Sequence, residues 1–106
     1  AAEKVAEFSG NVDILINNAG AIPPGNILDI NEDIWRKSWD LKVFGYINLT
    51  RVIYSKMKTI KKGVILNILG SAGVKHMYNY IAGTTANAGL MAFTKALSNF
   101  LSSSVL

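Results

Sequence analysis

Two short apolar runs stand out in a chain that otherwise carries a helical pattern. Residues 12–16 read Val-Asp-Ile-Leu-Ile and residues 64–69 read Val-Ile-Leu-Asn-Ile-Leu, each bounded by turn signals. Continuous apolar runs of this length predict strands buried on both faces. Between them Trp35, Trp39, Val43, Ile47, Thr50 and Tyr54 recur at spacings of three and four, and Leu41, Phe44, Leu49, Val52 and Ile53 broaden the apolar surface. That spacing predicts one long helix over 32–57, covered on more than one side. Asn31 is a suitable N-cap, and Glu32 and Asp33 fall in the first turn, where carboxylates are favoured. Strand, helix and strand at this spacing make a βαβ unit with parallel strands and a right-handed crossover.

The flanking segments complete the pattern. Residues 1–10 read as the tail of a helix, with Val5 and Phe8 on one face and Gly10 as its stop. Residues 21–30 form a loop punctuated by Pro23, Pro24 and Gly25, and residues 70–79 form another. A last helix begins at Tyr80 or Thr84 and runs to Leu101, with Ala86, Leu90, Phe93 and Leu97 on its core face. Ala82, Gly83, Ala88 and Gly89 keep its early part thin, so another backbone can approach. Residues 102–104, all serine, read as a frayed tail. The class is α/β. Two parallel strands alone leave faces and edges uncovered, so the chain reads as a piece of a larger domain or as one completed by partners.

Composition narrows the function classes. The 106 residues carry a net charge of +4, no cysteine and an apolar half. That excludes a disordered segment and a disulfide framework, and weakly favours a reducing, cytoplasmic compartment. No apolar stretch spans a bilayer, and no signal peptide opens the sequence, so no membrane role is expected. Lys56, Lys58, Lys61 and Lys62 cluster at a helix end, where they complement the macrodipole; without arginine or aromatic interleaving they do not predict nucleic-acid binding. His76 is the lone histidine, with no second ligand at metal spacing, so no metal site is expected.

The strand over 12–16 closes in Asn17-Asn18-Ala19-Gly20, and in an open α/β sheet ligands bind beyond such strand ends. An apolar strand ending in Asn-Asn-Ala-Gly resembles the short-chain dehydrogenase/reductase superfamily. The likeness continues in order. It runs through the long helix with a Trp near its start and Gly45 within it, then Gly63-Val64-Ile65-Leu66-Asn67-Ile68. It ends in Ala88-Gly89-Leu90 with Phe93-Thr94-Lys95-Ala96-Leu97. The resemblance implies a Rossmann-like parallel sheet with flanking helices, present as a partial domain. Residues 1–106 match the central part of one dinucleotide-binding domain, without its N-terminal Gly-rich turn and its C-terminal segment. It further implies NAD or NADP as cofactor, with Asn17, Asn18, Ala19 and Gly20 beneath its adenosine half. Hydride transfer with a small alcohol or carbonyl substrate is implied too, as is a homodimer or homotetramer built through the two long helices.

The family's chemistry rests on a tyrosine, a lysine four residues later, a serine and an asparagine. Here those positions hold Gly83, Asn87, Gly70 and Lys42. Two readings follow. In one the site has decayed, leaving a dinucleotide-binding or self-associating scaffold of the same fold. In the other its parts have moved. Lysine and asparagine have exchanged helices as Lys42 and Asn87, Tyr80 fills the space left by Gly83, and Ser71 supplies the missing hydroxyl. If Tyr80 is helical, it shares a face with Gly83 and Asn87. The moved set is then Tyr80, Lys42, Ser71 and Asn87, with Tyr78 a weaker substitute for Tyr80. Lys42, set in an apolar helix, needs a partner or a task. Asn67, inside a strand, is expected to make structural hydrogen bonds, and Trp35 and Trp39 to pack.

Overall fold

The computed structural model describes residues 4, 7, 10–18, 20–98 and 102–105, with only the backbone at Ser71 and at 102–105. Lys4 and Glu7 are helical, as expected of the leading segment. The elements that follow are β1 (Ile14–Asn17), α1 (Glu32–Trp39), a π-helical segment (Asp40–Phe44), α2 (Gly45–Ile60), β2 (Val64–Asn67), a 3₁₀ turn (Ser71–Gly73), α3 (Ile81–Leu97) and β3 (Ser102–Val105).

The strands form one parallel sheet in the order β1-β2-β3. Ile14 pairs with Val64, Leu15 with Ile65, Ile16 with Leu66 and Asn17 with Asn67. The third strand overturns the expectation of a frayed tail over 102–104. Serine has little intrinsic strand preference, but β2 presents a second row of unpaired backbone groups. Pairing Val64 through Asn67 with Ser102 through Val105 satisfies them.

Both long helices lie on one face of the sheet. Leu15 and Ile65 point into a core with Ile53 and Met57 of α2. A larger core gathers Ile22, Ile30, Val43, Tyr46, Leu69, Ala82, Ala86 and Leu90, tying the helices to the loop after β1. Burying a side chain such as Leu90 or Ile65 contributes about 1.5–3 kcal/mol each. The opposite face is bare: Ile14 is 60% exposed, Ile16 56% and Val64 40%. The expectation of strands buried on both faces is therefore met on one face only within this chain.

The helix expected over 32–57 is present but not uniform. Asn31 caps it, its Oδ1 accepting from the Ile34 N–H at 3.0 Å. The turn widens to π geometry over Asp40–Phe44, and the helix then runs on to Ile60, where Lys61 closes it in the left-handed conformation (φ 56°, ψ 36°). Gly63 (φ 158°) begins the return to β2, with Met57 where a side chain would stand. The last helix starts at Ile81, with Tyr80 as its N-cap, and its C-cap is Ser98.

Candidate functional site

The carboxyl ends of β1 and β2 are fastened by side-chain amides. Asn17 and Asn67 are buried and turned into the helical layer. Asn17 Nδ2 donates to Asn67 Oδ1 at 2.8 Å and to Thr50 Oγ1 of α2 at 3.1 Å. Asn67 Nδ2 donates to Thr94 Oγ1 of α3 at 2.8 Å. One network thus joins two strands and two helices, and it accounts for buried amides that are costly unless satisfied. Thr50 and Thr94 carry that role, which the apolar periodicity of their helices conceals.

Past Asn17 the chain emerges. Asn18 and Gly20 are exposed, and Ala19 lies outside the described residues. Gly20 adopts φ 98°, and a Cβ there would stand 3.0 Å from Lys42 Cβ and 3.3 Å from Lys42 Cα. The turn that closes the Asn-Asn-Ala-Gly run therefore lies directly on the π-helical segment, at Lys42.

The structure brings Lys42 and Asn87 together. Lys42 Nζ donates to Asn87 Oδ1 at 3.1 Å, and the Gly70 N–H donates to the same oxygen at 2.9 Å. Asn87 Nδ2 donates to the Gly83 carbonyl at 2.7 Å. Asn87 is thus a buried hub between the π-helical segment, the loop after β2 and its own helix. Partial burial holds the Lys42 ammonium below the usual lysine pKa. Among the described residues its hydrogen-bond partner is this neutral amide, and no carboxylate pairs with it.

Tyr80 is not helical (φ −144°, ψ 48°), so the shared helical face expected for it does not form. Its ring reaches Gly83 all the same. A Cβ built on Gly83 would fall against Cε2 and Cζ of the phenol and 2.6 Å from its hydroxyl. The phenol thus occupies the volume a side chain at 83 would need, one helical turn from the hub at Asn87. Ser71 begins the 3₁₀ turn immediately after Gly70, and its side chain lies outside the described residues. Tyr78 and His76 are exposed on the same loop. Tyr46 lies below, its hydroxyl donating to the Ile68 carbonyl at 3.1 Å, and desolvation raises its pKa.

Apolar grooves run along the helices among the described residues. One, of about 340 Å³, is lined by Trp35, Arg36, Trp39, Asp40, Phe44 and Thr85. The Trp35 and Trp39 rings lie 6.3 Å apart at 47°. Another, of about 250 Å³, lies along Ile47, Arg51, Tyr54, Phe93 and Leu97.

Comparison with known proteins agrees with this architecture. The chain is 33% identical over 95 residues to an uncharacterized oxidoreductase of Thermotoga maritima, covering 90% of this chain and 38% of that protein. It is 32% identical over 95 residues to an acetoacetyl-CoA reductase of Paracoccus denitrificans, covering 90% and 39%. It is 31% identical over 104 residues to a 3-oxoacyl-(acyl-carrier-protein) reductase of Staphylococcus epidermidis, covering 95% and 41%. A short-chain dehydrogenase from Streptomyces avermitilis superposes with a TM-score of 0.88 at 27% identity, over 98% of this chain and 40% of that one. YwfH, an NADPH-dependent reductase of bacilysin biosynthesis, superposes with a TM-score of 0.82 at 26% identity, over 92% and 39%. The chain thus spans about two-fifths of the length of these relatives. A short chain dehydrogenase family model matches residues 1–105, and the chain belongs to that family of oxidoreductases.

Proposed function

We propose that the protein carrying this chain is an NAD(P)-dependent oxidoreductase that interconverts an alcohol and a carbonyl, and that its reacting centre is the relocated set around Lys42. The observation that carries this reading is the Tyr80 phenol lying over Gly83, one turn from the Asn87 amide that holds Lys42. The residues fit a nicotinamide nucleotide. Gly20 and Gly70 are exposed beside the Lys42–Asn87 pair, so backbone there is open to close approach. Asn18, Ala19 and Gly20 would lie beneath its adenosine half, with Asn17 fixing that turn from within the core. When bound, the nicotinamide supplies or accepts the hydride.

The chain's own residues handle the proton. Tyr80 donates its hydroxyl proton to the substrate oxygen as a carbonyl is reduced, and takes it back in the reverse direction. Lys42 supplies the positive charge at this mouth, held on the Asn87 hub one helical turn from Gly83. Asn87 holds the ammonium by a hydrogen bond without neutralising it. Ser71, beside Gly70, supplies a hydroxyl to orient the carbonyl. The relatives named acetoacetyl-CoA reductase and 3-oxoacyl-(acyl-carrier-protein) reductase support a 3-oxoacyl compound as the first substrate class to try.

We extend the reading to assembly. The chain acts as the central part of a larger dinucleotide-binding domain, whose further segments cover Ile14, Ile16 and Val64. The apolar grooves on the long helices seat a second copy in a homodimer or homotetramer. The relatives' greater length and the bare sheet face support the first statement; the grooves support the second. We place the protein in the cytoplasm, in keeping with the reducing compartment that a sequence without cysteine weakly favours. Among the described residues no helix is long and apolar enough to cross a membrane.

The experiment is an assay of the complete gene product with NADH and NADPH against carbonyls, 3-oxoacyl thioesters included, and with oxidised NAD and NADP against alcohols. Cofactor oxidation by a carbonyl, or reduction by an alcohol, that is lost in Tyr80→Phe and in Lys42→Met supports the proposal. Tight cofactor binding without turnover on any substrate overturns it in favour of a catalytically degenerate nucleotide binder. Absence of cofactor binding overturns it in favour of a self-associating scaffold.

A further inference from the structure

The loop after β1 reaches across the molecule to the start of α3. The Gly25 N–H donates to the Asn79 carbonyl at 2.6 Å, and the Ile81 N–H donates to the Gly25 carbonyl at 3.2 Å. Together they make an isolated parallel bridge between Gly25 and Tyr80. A helix opens with N–H groups that have no partner within the helix. Tyr80, as N-cap, offers no side-chain hydrogen bond to them. The Gly25 carbonyl takes one of these orphans from outside, so the loop acts as a tertiary cap.

The bridge also fixes the conformation of Tyr80. The Tyr80 N–H donates to the Met77 carbonyl at 3.2 Å, and the Tyr80 carbonyl accepts from Thr84 N–H at 2.8 Å. With both neighbours of Tyr80 bonded to Gly25, its backbone is held outside the helix. From there its ring folds back over Gly83.

Gly25 is itself held rigidly. Asn26 Oδ1 accepts from the N–H groups of Leu28 and Asp29 at 2.9 and 3.0 Å, and Asp29 Oδ2 accepts from Asn26 N–H at 3.1 Å. Ile30, next along, is anchored in the larger core. Gly25 sits at φ 148°, and a Cβ on it would stand 2.7 Å from Ile30 Cδ1 and 3.1 Å from Asp29 Cβ. Both the dihedral and the space demand glycine there.

We infer that Gly25 is a positioning residue for Tyr80, its backbone bridge setting where the phenol stands over Gly83. The inference rests on the proton-transfer role proposed for Tyr80. The turn that follows the Asn-Asn-Ala-Gly run thereby places a group some fifty-five residues further along the chain.

The test compares Gly25→Ala with the complete wild-type enzyme, using its best substrate and cofactor. A phenol displaced by an ångström is expected to lower kcat about 10- to 100-fold. The affinity for the cofactor, followed by its fluorescence, should stay within about twofold of wild type, and the substrate KM should change far less than kcat. Ile30→Val, which removes the Cδ1 in conflict, should restore part of the lost kcat when added to Gly25→Ala. Leu28→Ser, at a 91% exposed position on the same turn, should leave kcat and KM as they are. Unchanged kcat in Gly25→Ala, with Tyr80→Phe inactive, overturns this inference alone. Parallel loss of kcat, cofactor affinity and melting temperature overturns it too, as the mark of a merely structural glycine. Full activity in Tyr80→Phe instead overturns the relocated site. Where Gly25→Ala does not fold, hydrogen exchange on the wild type decides: a protected Ile81 amide supports the bridge, and exchange at the rate of an exposed loop refutes it.

Discussion

Asn17 and Asn67 stand opposite each other in the parallel register and share a side-chain hydrogen bond of 2.8 Å at the buried carboxyl ends of their strands. Each also bonds a threonine on a different helix, Thr50 for Asn17 and Thr94 for Asn67. A slip of one residue would turn either amide to the bare face and leave its partners unsatisfied, so the pair specifies register as well as stability. Asn67→Ala removes one hydrogen bond each from Asn17 and Thr94, which keep their bonds to Thr50 and to the Leu90 carbonyl, and leaves a cavity in a fully buried position, so it should cost about 2–4 kcal/mol. Asn17→Ala should cost about as much, and the double variant less than the sum of the two singles by about 1 kcal/mol. Urea unfolding of the four proteins checks both statements, and strict additivity would refute the shared network.

Lys42 and Tyr46 should tilt stability in opposite directions at alkaline pH. Desolvation lowers the Lys42 pKa from its ordinary 10.5 and raises that of Tyr46 from 10.0. Between its folded-state value and 10.5, Lys42 holds fewer protons folded than unfolded, so its contribution rises with pH. Between 10.0 and its raised folded-state value, Tyr46 holds more protons folded than unfolded, so its contribution falls as pH rises. Lys42→Met should remove the rise and Tyr46→Phe the fall. Urea midpoints measured from about pH 9 to about pH 11 report the slopes.

How far these features can be read from the chain depends on the range of the forces behind them. The Asn31 cap, the acidic first turn of α1 and the apolar strands are local, and they stand where propensity and periodicity put them. The third strand does not announce itself, because Ser102, Ser103 and Ser104 gain strand character only from the free edge of β2. The π-helical turn at Asp40–Phe44 is equally silent, since its residues suit an ordinary helix. At the candidate site the Lys42–Asn87 exchange is legible as a swap of residue types. Gly25 reads only as loop punctuation, and its bridge to Tyr80 depends on a fold the local pattern does not contain.

Two backbone positions should respond in opposite senses to loss or gain of a side chain. Lys61 closes α2 at φ 56°, ψ 36°, a conformation glycine adopts without strain. Lys61→Gly should therefore stabilise the fold by about 0.5–1 kcal/mol. Gly63, at φ 158° with Met57 filling the space beside it, admits no Cβ. Gly63→Ala should destabilise by about 1–3 kcal/mol through backbone strain and displacement of Met57. Thermal melts of the two variants measure both signs.

The groove along Trp35, Trp39 and Phe44 gives the proposed assembly a direct test. Phe44 is exposed, and Trp39 Nε1 is buried there without a hydrogen-bond partner among the described residues. Phe44→Glu should break association between copies, because a carboxylate at the centre of an apolar contact loses its hydration without gaining a partner. Sedimentation of the complete protein should show an oligomer for the wild type and smaller species for the variant. A monomeric wild type would remove this face from the proposal. Trp39→Phe, which deletes the orphan donor, should cost less than about 1.5 kcal/mol despite the smaller ring.

The exchange between Lys42 and Asn87 makes the sharpest demand. Asn87→Lys sets a second ammonium beside Lys42, takes the acceptor from the Gly70 N–H and takes the donor from the Gly83 carbonyl. It should destabilise by about 2–4 kcal/mol through repulsion and unsatisfied groups. Lys42→Asn leaves Asn87 bonded to Gly70 and Gly83 and should cost less than about 1 kcal/mol, or stabilise, by removing a partly buried charge. In the double variant the repulsion disappears and the amide introduced by Lys42→Asn can accept from the new lysine, so the loss should shrink by about 1–2 kcal/mol relative to the sum of the singles. Activity then separates charge from position. If one cation at the strand mouth suffices, the double variant of the complete protein turns over faster than Asn87→Lys alone. If the ammonium must come from the π-helical segment, stability recovers in the double variant and kcat does not. A cycle with no coupling in either measurement would mean that the 3.1 Å contact between Lys42 and Asn87 is incidental to fold and chemistry alike.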